Sequence, residues 1–424
     1  MTTPRRLLLG LLTGVGLCFT PHASAENSPT PVVPSDVTSA VGTTLVELLS
    51  VAEASSPTLR QFAIEIESTR GKARQAGLYP NPVASGGATQ LAGPQSQYFA
   101  ALSQEIVTRG KLQLSQAAVC REVAQAEFRY VQARFELLTA VRQGYFVSLA
   151  AQRRMEISNR LVEIAKKSRL AAKRAQQAGA GTLSDTLLLE IEFEKAEVTL
   201  ENVETKWQAS QQQLVATMGR RDFQLVRIHG DLTESLKRFE SQVLIDGYVP
   251  YNAEVQSAEQ DVERNRYLLQ RAIVEPFPNV TIYGGYQYQV SPIQNMGLLN
   301  VFVPLPFWNK NEGNIASANA QVFKAQATVE QVQNQIAKHM ADASGRFRVA
   351  DQQVRRYSDR IVPKAQKAVD IIQDGFTLGE LDFLRLLQTQ RALVDSKLGY
   401  IDALETRWVA ATELAGLTQI EAFP

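Results

Sequence analysis

Two hydrophobic patterns alternate along this chain. In the first, apolar residues return every third or fourth position over very long stretches. Ala124, Phe128, Val131, Phe135, Leu138, Tyr145 and Leu149 fall at steps of four and three, with Arg142 the one exception in the seam. That spacing is the coiled-coil signature. Beyond Leu149 the phase slips by one residue to Ile157, Leu161 and Ile164, a local adjustment of the supercoil. A helix over 112–178 would be about 100 Å long, which no compact soluble domain needs. Gly179-Ala180-Gly181-Thr182 turns the chain, and a return helix over 183–218 carries the seam Phe193, Ala196, Leu200, Val203, Trp207, Ser210 and Leu214 before Gly219 ends it.

The second pattern has period two. From Val280 to Val290 the even positions read Val, Ile, Gly, Tyr, Tyr, Val, and the odd positions Thr, Tyr, Gly, Gln, Gln. This is a strand with one apolar and one polar face, and about ten residues suit a tilted strand crossing a bilayer. A second strand is expected at Leu299–Val303, after a loop marked by Pro292 and Gly297, and Pro304 and Pro306 end the pairing. Val83–Leu91 and Gln97–Ile106 form a poorer, Gly- and Ala-rich hairpin around Gly93-Pro94. Gly284-Gly285, inside a strand, implies close backbone packing or a bend.

The two patterns occur twice in the same order. Pro80-Asn81 is answered by Pro278-Asn279 and Gly181 by Gly379, both at an offset a little under 200 residues, so the chain is an internal duplication. Repeat 1 spans 43–219, with hairpin 83–106 between a first helix and the long helix. A connector covers 220–248, with a short helix expected near Leu232–Leu244. Repeat 2 spans 249–418, with hairpin 280–303, a long helix 313–374, a turn at Gly375–Gly379 and a return helix 381–414 that stops before Gly416. The seam of the second long helix is Ile315, Ala318, Val322, Ala325, Val329, Val332, Ile336 and Ala343, with His339 assigned to it. Leu183–Met218 and Tyr251–Val274 together match one long helix in length, so stacking end to end along it is expected.

Residues 1–25 have the form of a secretory signal: Arg5-Arg6, an apolar run Leu7–Phe19, and Ala23-Ser24-Ala25 before the cut. Lipidation at Cys18 is the alternative, but Leu17 stands where a small residue is wanted. Residues 26–42, with Pro29, Pro31 and Pro34, read as an extended linker. The formal charge of +1 gives no footprint for nucleic acid. After the signal no apolar run of about 18 residues remains, so any membrane insertion must use strands.

Four strands are too few to close a barrel, and a sheet in lipid cannot keep open edges. Three copies would supply twelve strands. The expected fold is therefore mainly α with a small β part: duplicated long-helix hairpins forming a helical barrel, plus four strands per chain contributed to a trimeric twelve-stranded transmembrane β-barrel. Tyr283, Tyr286, Tyr288, Phe307 and Trp308 are expected to anchor it at the membrane interfaces, with Phe302 a rival between anchor and core.

The chemistry points away from catalysis. There is no nucleophile elbow and no phosphate-binding glycine loop. His22 leaves with the signal, while His229 and His339 lack partners at metal-ligand spacing, and Cys120 is the only mature cysteine. No enzyme activity, cofactor or resident metal is expected.

The duplicated order of helix, Pro-Asn break, hairpin, long helix, Gly turn and return helix resembles the TolC family of outer-membrane efflux factors over essentially the whole mature chain. Pro304-Leu305-Pro306-Phe307-Trp308-Asn309-Lys310-Asn311-Glu312-Gly313 is similar to a segment of its heavy-metal, cobalt–zinc–cadmium branch. The resemblance implies a homotrimeric channel in outer-membrane lipid, with an inner-membrane proton-driven pump and a periplasmic adaptor as partners. It puts the entrance at the helix turns, mapping here to Gln177–Leu187 and Asp374–Gln388, with Asp185, Glu190, Asp374, Glu380, Asp382 and Arg385 as the charges available. The family's acidic gate positions hold Arg385 and Gln388 here, a departure that weighs against cation selection by an acidic ring there. Drug export or type I protein secretion through the same tube is the near alternative. A periplasmic coiled-coil adaptor is the alternative of another class, and the duplication argues against it.

Overall fold

A computed structural model describes residues 44–91, 93–179, 181–220, 227–236, 240–377 and 383–421. The expected signal (1–25) and linker (26–42) lie outside them, as do Ala180, Gly379, Glu380 and Asp382. Helices α1 (Leu45–Ser55) and α2 (Pro57–Ala76) meet at Ser56, which caps α2 through its hydroxyl with Pro57 in the first turn. Strands β1 (Val83–Thr89) and β2 (Gln97–Ile106) lead into α3 (Lys111–Gln177), a single uninterrupted helix of 67 residues. α4 (Leu183–Thr217) returns, started by a capping box between Thr182 and Asp185. The connector holds α5 (Ser241–Tyr248), followed by a 3₁₀ turn at Val249–Tyr251, so its helix sits later than the sequence suggested.

Repeat 2 follows with α6 (Ala253–Val274), β3 (Val280–Gln289), β4 (Gln294–Phe302), α7 (Glu312–Arg356), α8 (Val362–Thr377) and α9 (Phe383–Thr418). β4 begins at Gln294 rather than Leu299, because the whole stretch from there pairs with β3. Gly375 is helical and does not turn the chain, and α9 runs through Gly416. Between α7 and α8 a π-helical turn spans Tyr357–Ile361, where the Val362 N–H bonds the Tyr357 carbonyl. Its cause is Pro363, which has no N–H to give the Asp359 carbonyl four residues back and whose ring would press on it.

The long helix α3 is flanked by α2 and α4 and by α6 and α9. The half-helices stack within each repeat, α4 on α2 and α9 on α6, rather than α4 on α6 as length alone suggested. Ser55 Oγ donates to the Met218 carbonyl at 2.8 Å, and Asn252 Nδ2 donates to the Leu417 carbonyl at 2.9 Å. The seam residues Phe135, Leu138, Tyr145 and Leu149 are buried. From Val141 to Gln152 most of α3 is covered, where α1, α4, α9 and the connector converge on it. There Phe146 stacks on Trp408 at 4.1 Å, and Trp408 Nε1 donates to the Leu232 carbonyl at 2.8 Å. Arg407 donates to the carbonyls of Leu232 and Glu234, and Gln152 clamps both the N–H and the C=O of Ile228. The connector is thus tied by its backbone polar groups, as a segment crossing helices must be. In this turn of α7 Met340 is the buried residue and His339 is exposed, which removes His339 from the seam.

The four strands make one antiparallel meander, β1-β2-β3-β4. No described helix is long and apolar enough to cross a membrane.

Candidate functional site

Register fixes the composition of each sheet face. Leu102 lies opposite Ala84 and Gly284, Ala100 opposite Gly86 and Tyr286, and Ile282 opposite Gln104 and Val301. One face therefore carries Ala84, Ala88, Tyr98, Ala100, Leu102, Ile106, Val280, Ile282, Tyr286, Tyr288, Leu299 and Val301, with Gln104 and Asn295 its polar members. The other carries Ser85, Thr89, Gln97, Ser103, Glu105, Thr281, Gln287, Gln289, Gln294 and Asn300, together with Val83, Phe99, Ala101, Tyr283, Met296, Leu298 and Phe302.

Burial runs opposite to what water would select. On the apolar face Leu102 is 61% and Leu299 76% exposed, while on the polar face Ala101 is 7% exposed and most of β2 and β3 is half-buried. Gln97 of β2 bridges two amides of β3, donating to Gln289 and accepting from Gln287. A sheet that covers its amides and displays its aliphatic and tyrosine side chains suits a surrounding of hydrocarbon with water inside. Both edge strands, β1 and β4, pair on one side only within the chain, and such edges have no place in lipid without a partner.

The aromatic candidates separate. Tyr286 is exposed on the apolar face, where its hydroxyl bonds Asn295, and Tyr288 lies opposite Tyr98. Tyr283 points to the polar face beside Phe302, edge to face at 6.5 Å, so register does not group it with the outward tyrosines. Phe307 and Trp308 stand out of the β4–α7 loop at 69% and 94% exposure, edge to face with each other.

Sequence reasoning missed the joint between sheet and helices. Asn279 Oδ1 accepts from the Thr108 N–H (3.3 Å) and from Lys111 Nζ (3.1 Å), while its Nδ2 donates to Glu105 (2.7 Å). Lys111, 3% exposed, also donates to the Phe277 carbonyl at 2.6 Å, and Thr108 Oγ1 donates to the Pro278 carbonyl at 2.8 Å. The Pro-Asn pair does more than break a helix, since its asparagine ties the start of β3 to the start of α3. Gly110 and Asn311, at equivalent helix starts, share a left-handed conformation with φ of 66° and 63°. Gly and Asn are the residues that tolerate it.

At the hairpin tips Asp185 is engaged in capping α4, so its carboxylate accepts from the Thr182 N–H and hydroxyl. Glu190 lines a groove with Leu187, Ile191, Glu194 and Arg391. Arg391 reaches Glu192 at 3.0 Å, an ion pair between α9 and α4. Asp374 and Arg385 are exposed on α8 and α9. Glu380 and Asp382 fall outside the described residues. Among the described residues no three His, Cys, Asp or Glu side chains gather to hold a metal ion.

Exposed apolar strands joined to duplicated helical hairpins fit an outer-membrane efflux protein, and the family comparison gives the same class. The family model for outer membrane efflux proteins matches residues 48–220 and 250–418, and the chain belongs to that family. Among curated proteins it is 26% identical over 418 residues to the cobalt-zinc-cadmium resistance protein CzcC of Cupriavidus metallidurans, covering 97% of this chain and 98% of that one. Among solved structures the fold matches CusC, studied for transmembrane channel formation, with TM-score 0.77, 17% identity, and 89% and 92% of the two chains covered. A membrane protein from Pseudomonas aeruginosa matches with TM-score 0.75, 20% identity, and 88% and 93% covered.

Proposed function

We propose that three copies of this chain form a channel through the outer membrane, their strands pooled into one twelve-stranded barrel and their helices continuing it as a periplasmic tube. The observation that carries this reading is the reversed burial of the sheet, apolar outside and amide-lined within, combined with two open edges. Four strands fall short of the eight that the smallest outer-membrane barrels use, and three chains of four close a wall. In this reading the tips near Asp185, Glu190, Asp374, Glu380, Asp382 and Arg385 form the entrance, where charge repeated three times would shape ion passage.

The cargo is divalent heavy-metal cations, delivered by an inner-membrane proton-driven pump through a periplasmic adaptor. The full-length likeness to a cobalt-zinc-cadmium resistance protein supports this. The metal is then a transported substrate, and the chain contributes wall and charge to its passage.

Purified protein in detergent should have the mass of a trimer and give stepwise conductance in a planar bilayer. A monomer without conductance would end the channel reading. A strain lacking the gene should become sensitive to zinc, cobalt and cadmium. Unchanged metal tolerance with new sensitivity to dyes or antibiotics would move the cargo to drugs.

A further inference from the structure

The strands and the loops that join them are almost free of charge. Across residues 83–106 and 280–303 the sequence holds a single Asp, Glu, Lys or Arg, and it is Glu105. Register puts Glu105 on the polar face, opposite Thr281, which in turn lies opposite Phe302. It is the next-to-last residue of β2 and so stands at the end of the sheet that runs on into α3. From there toward the hairpin loops the polar groups on this face are neutral, among them Ser103, Asn300, Gln287 and Gln97.

A lone carboxylate at the foot of a strand could serve only as a pin, so its contacts matter. Asn279 Nδ2 donates to Glu105 Oε1 at 2.7 Å, while Asn279 Oδ1 accepts from Lys111 Nζ at 3.1 Å. The carboxamide thus stands between the two charges and bonds each of them. Their surroundings differ. Lys111 is 3% exposed, with its ammonium also donating to the Phe277 carbonyl at 2.6 Å, whereas Glu105 is only half-buried. Arg109 lies past the end of β2 with its guanidinium over the Phe277 ring, 4.4 Å from the centroid. Water on the polar face therefore meets the carboxylate, while the protein encloses the ammonium.

We infer that Glu105 sets the charge preference of the barrel: repeated once per copy, it rings the passage from helical tube to barrel with three carboxylates that favour cations over anions. This rests on the pooled-barrel reading and deepens it to one residue. Twelve strands about 4.8 Å apart and tilted about 40° close a wall of radius about 12 Å. Three unit charges at that distance enrich a monovalent cation on the axis about threefold at 0.01 M salt, about 1.5-fold at 0.15 M and hardly at all at 1 M. These are upper values, since Lys111 offsets part of the field. The enrichment is squared for a divalent cation, the cargo proposed above. Past Glu105 the strands add no second charge to retain the ion, so it is drawn in and then released outward.

The test is the reversal potential of the full-length protein in a planar bilayer under a potassium chloride gradient, read as the potassium-to-chloride permeability ratio. Glu105→Gln keeps an oxygen for the Asn279 amide and removes the charge. Its ratio should fall about two- to threefold below the parent's at 0.01 M salt, with the difference gone at 1 M. Glu105→Asp should retain the parental ratio. If the glutamine variant fails to insert, Glu105→Cys with Cys120→Ser is labelled after insertion. A thiosulfonate reagent carrying a sulfonate should then restore the ratio, and one carrying an ammonium should lower it further. A parental ratio in Glu105→Gln at low salt, or equal effects of the two labels, overturns the inference and leaves the channel standing. A difference that persists at 1 M also overturns it, because screening abolishes a field effect. A parent protein that never conducts overturns both.

Discussion

Leu102 and Ser103 are neighbours in β2 that point to opposite faces, and replacing each by arginine separates a sheet in lipid from a sheet in water. Both lie mid-strand with partners on either side: Leu102 between Ala84 and Gly284, Ser103 between Val83 and Tyr283. Leu102 is 61% exposed and Ser103 is half-buried. In water Leu102→Arg would change stability by no more than about 0.5 kcal/mol, and Ser103→Arg, crowding a covered site, would be the damaging one. In a bilayer the order reverses. An arginine facing lipid near the midplane costs about 2–4 kcal/mol, while one facing a wet lumen costs little. That range lowers the folded-to-unfolded ratio about 30- to 900-fold per chain. Urea titration of protein refolded into vesicles, with protease protection as the readout, measures both variants. A Leu102→Arg protein with the parental midpoint beside a destabilised Ser103→Arg protein would refute the lipid-facing assignment.

The two adjacent glycines of β3 should behave differently. A Cβ at Gly285 would lie 2.6 Å from the Ala101 Cβ and 2.7 Å from the Ala100 carbonyl, whereas one at Gly284 meets nothing within 4 Å. Gly285→Ala is expected to destabilise the barrel by about 1–3 kcal/mol and Gly284→Ala to leave the urea midpoint unchanged. Trp408→Phe keeps the stack on Phe146 but leaves the Leu232 carbonyl to Arg407 alone, a loss of about 0.5–1.5 kcal/mol. Tryptic cleavage at Arg227 in the connector should then quicken about 2- to 12-fold while the far-ultraviolet helix signal holds; cleavage at the parental rate would contradict the tie. Glu254, in the first turn of α6, is held above the ordinary carboxylate range by burial first and by Glu136 second, with His339 pulling it down. A raised acid pKa adds stability below the unfolded value of about 4.3 and loses it as pH rises through the folded value. Glu254→Gln should therefore be more stable than the parent at pH 7, with the gap closing below about pH 4.3; an equal gap at both pH values would exclude burial of the charge as its cause.

The long helices and the strands were legible because each repeats one periodicity over many residues. The seam of Phe135, Leu138, Tyr145 and Leu149 is buried as spaced. The period-two alternation of Val280–Val290 assigns the two faces of β3. Element ends were less legible, since Gly375 and Gly416 read as stops but sit inside helices. Glycine marks an end only where the chain needs a left-handed residue, as at Gly219 with φ of 76°. Which half-helices stack depended on single hydrogen bonds from Ser55 and Asn252, and these carry no periodic signal. Of the entrance charges, periodicity places Asp185 and Glu190 on α4 but says nothing of the Arg391–Glu192 contact, which is long-range.

The π turn before Pro363 makes the two hairpins mechanically unequal. α3 is unbroken over its full length, while its duplicate changes hydrogen-bond pitch once, at Tyr357, where α7 leaves the central core. In the proposed assembly unbroken staves would alternate with ones that carry a single change of pitch, one per chain.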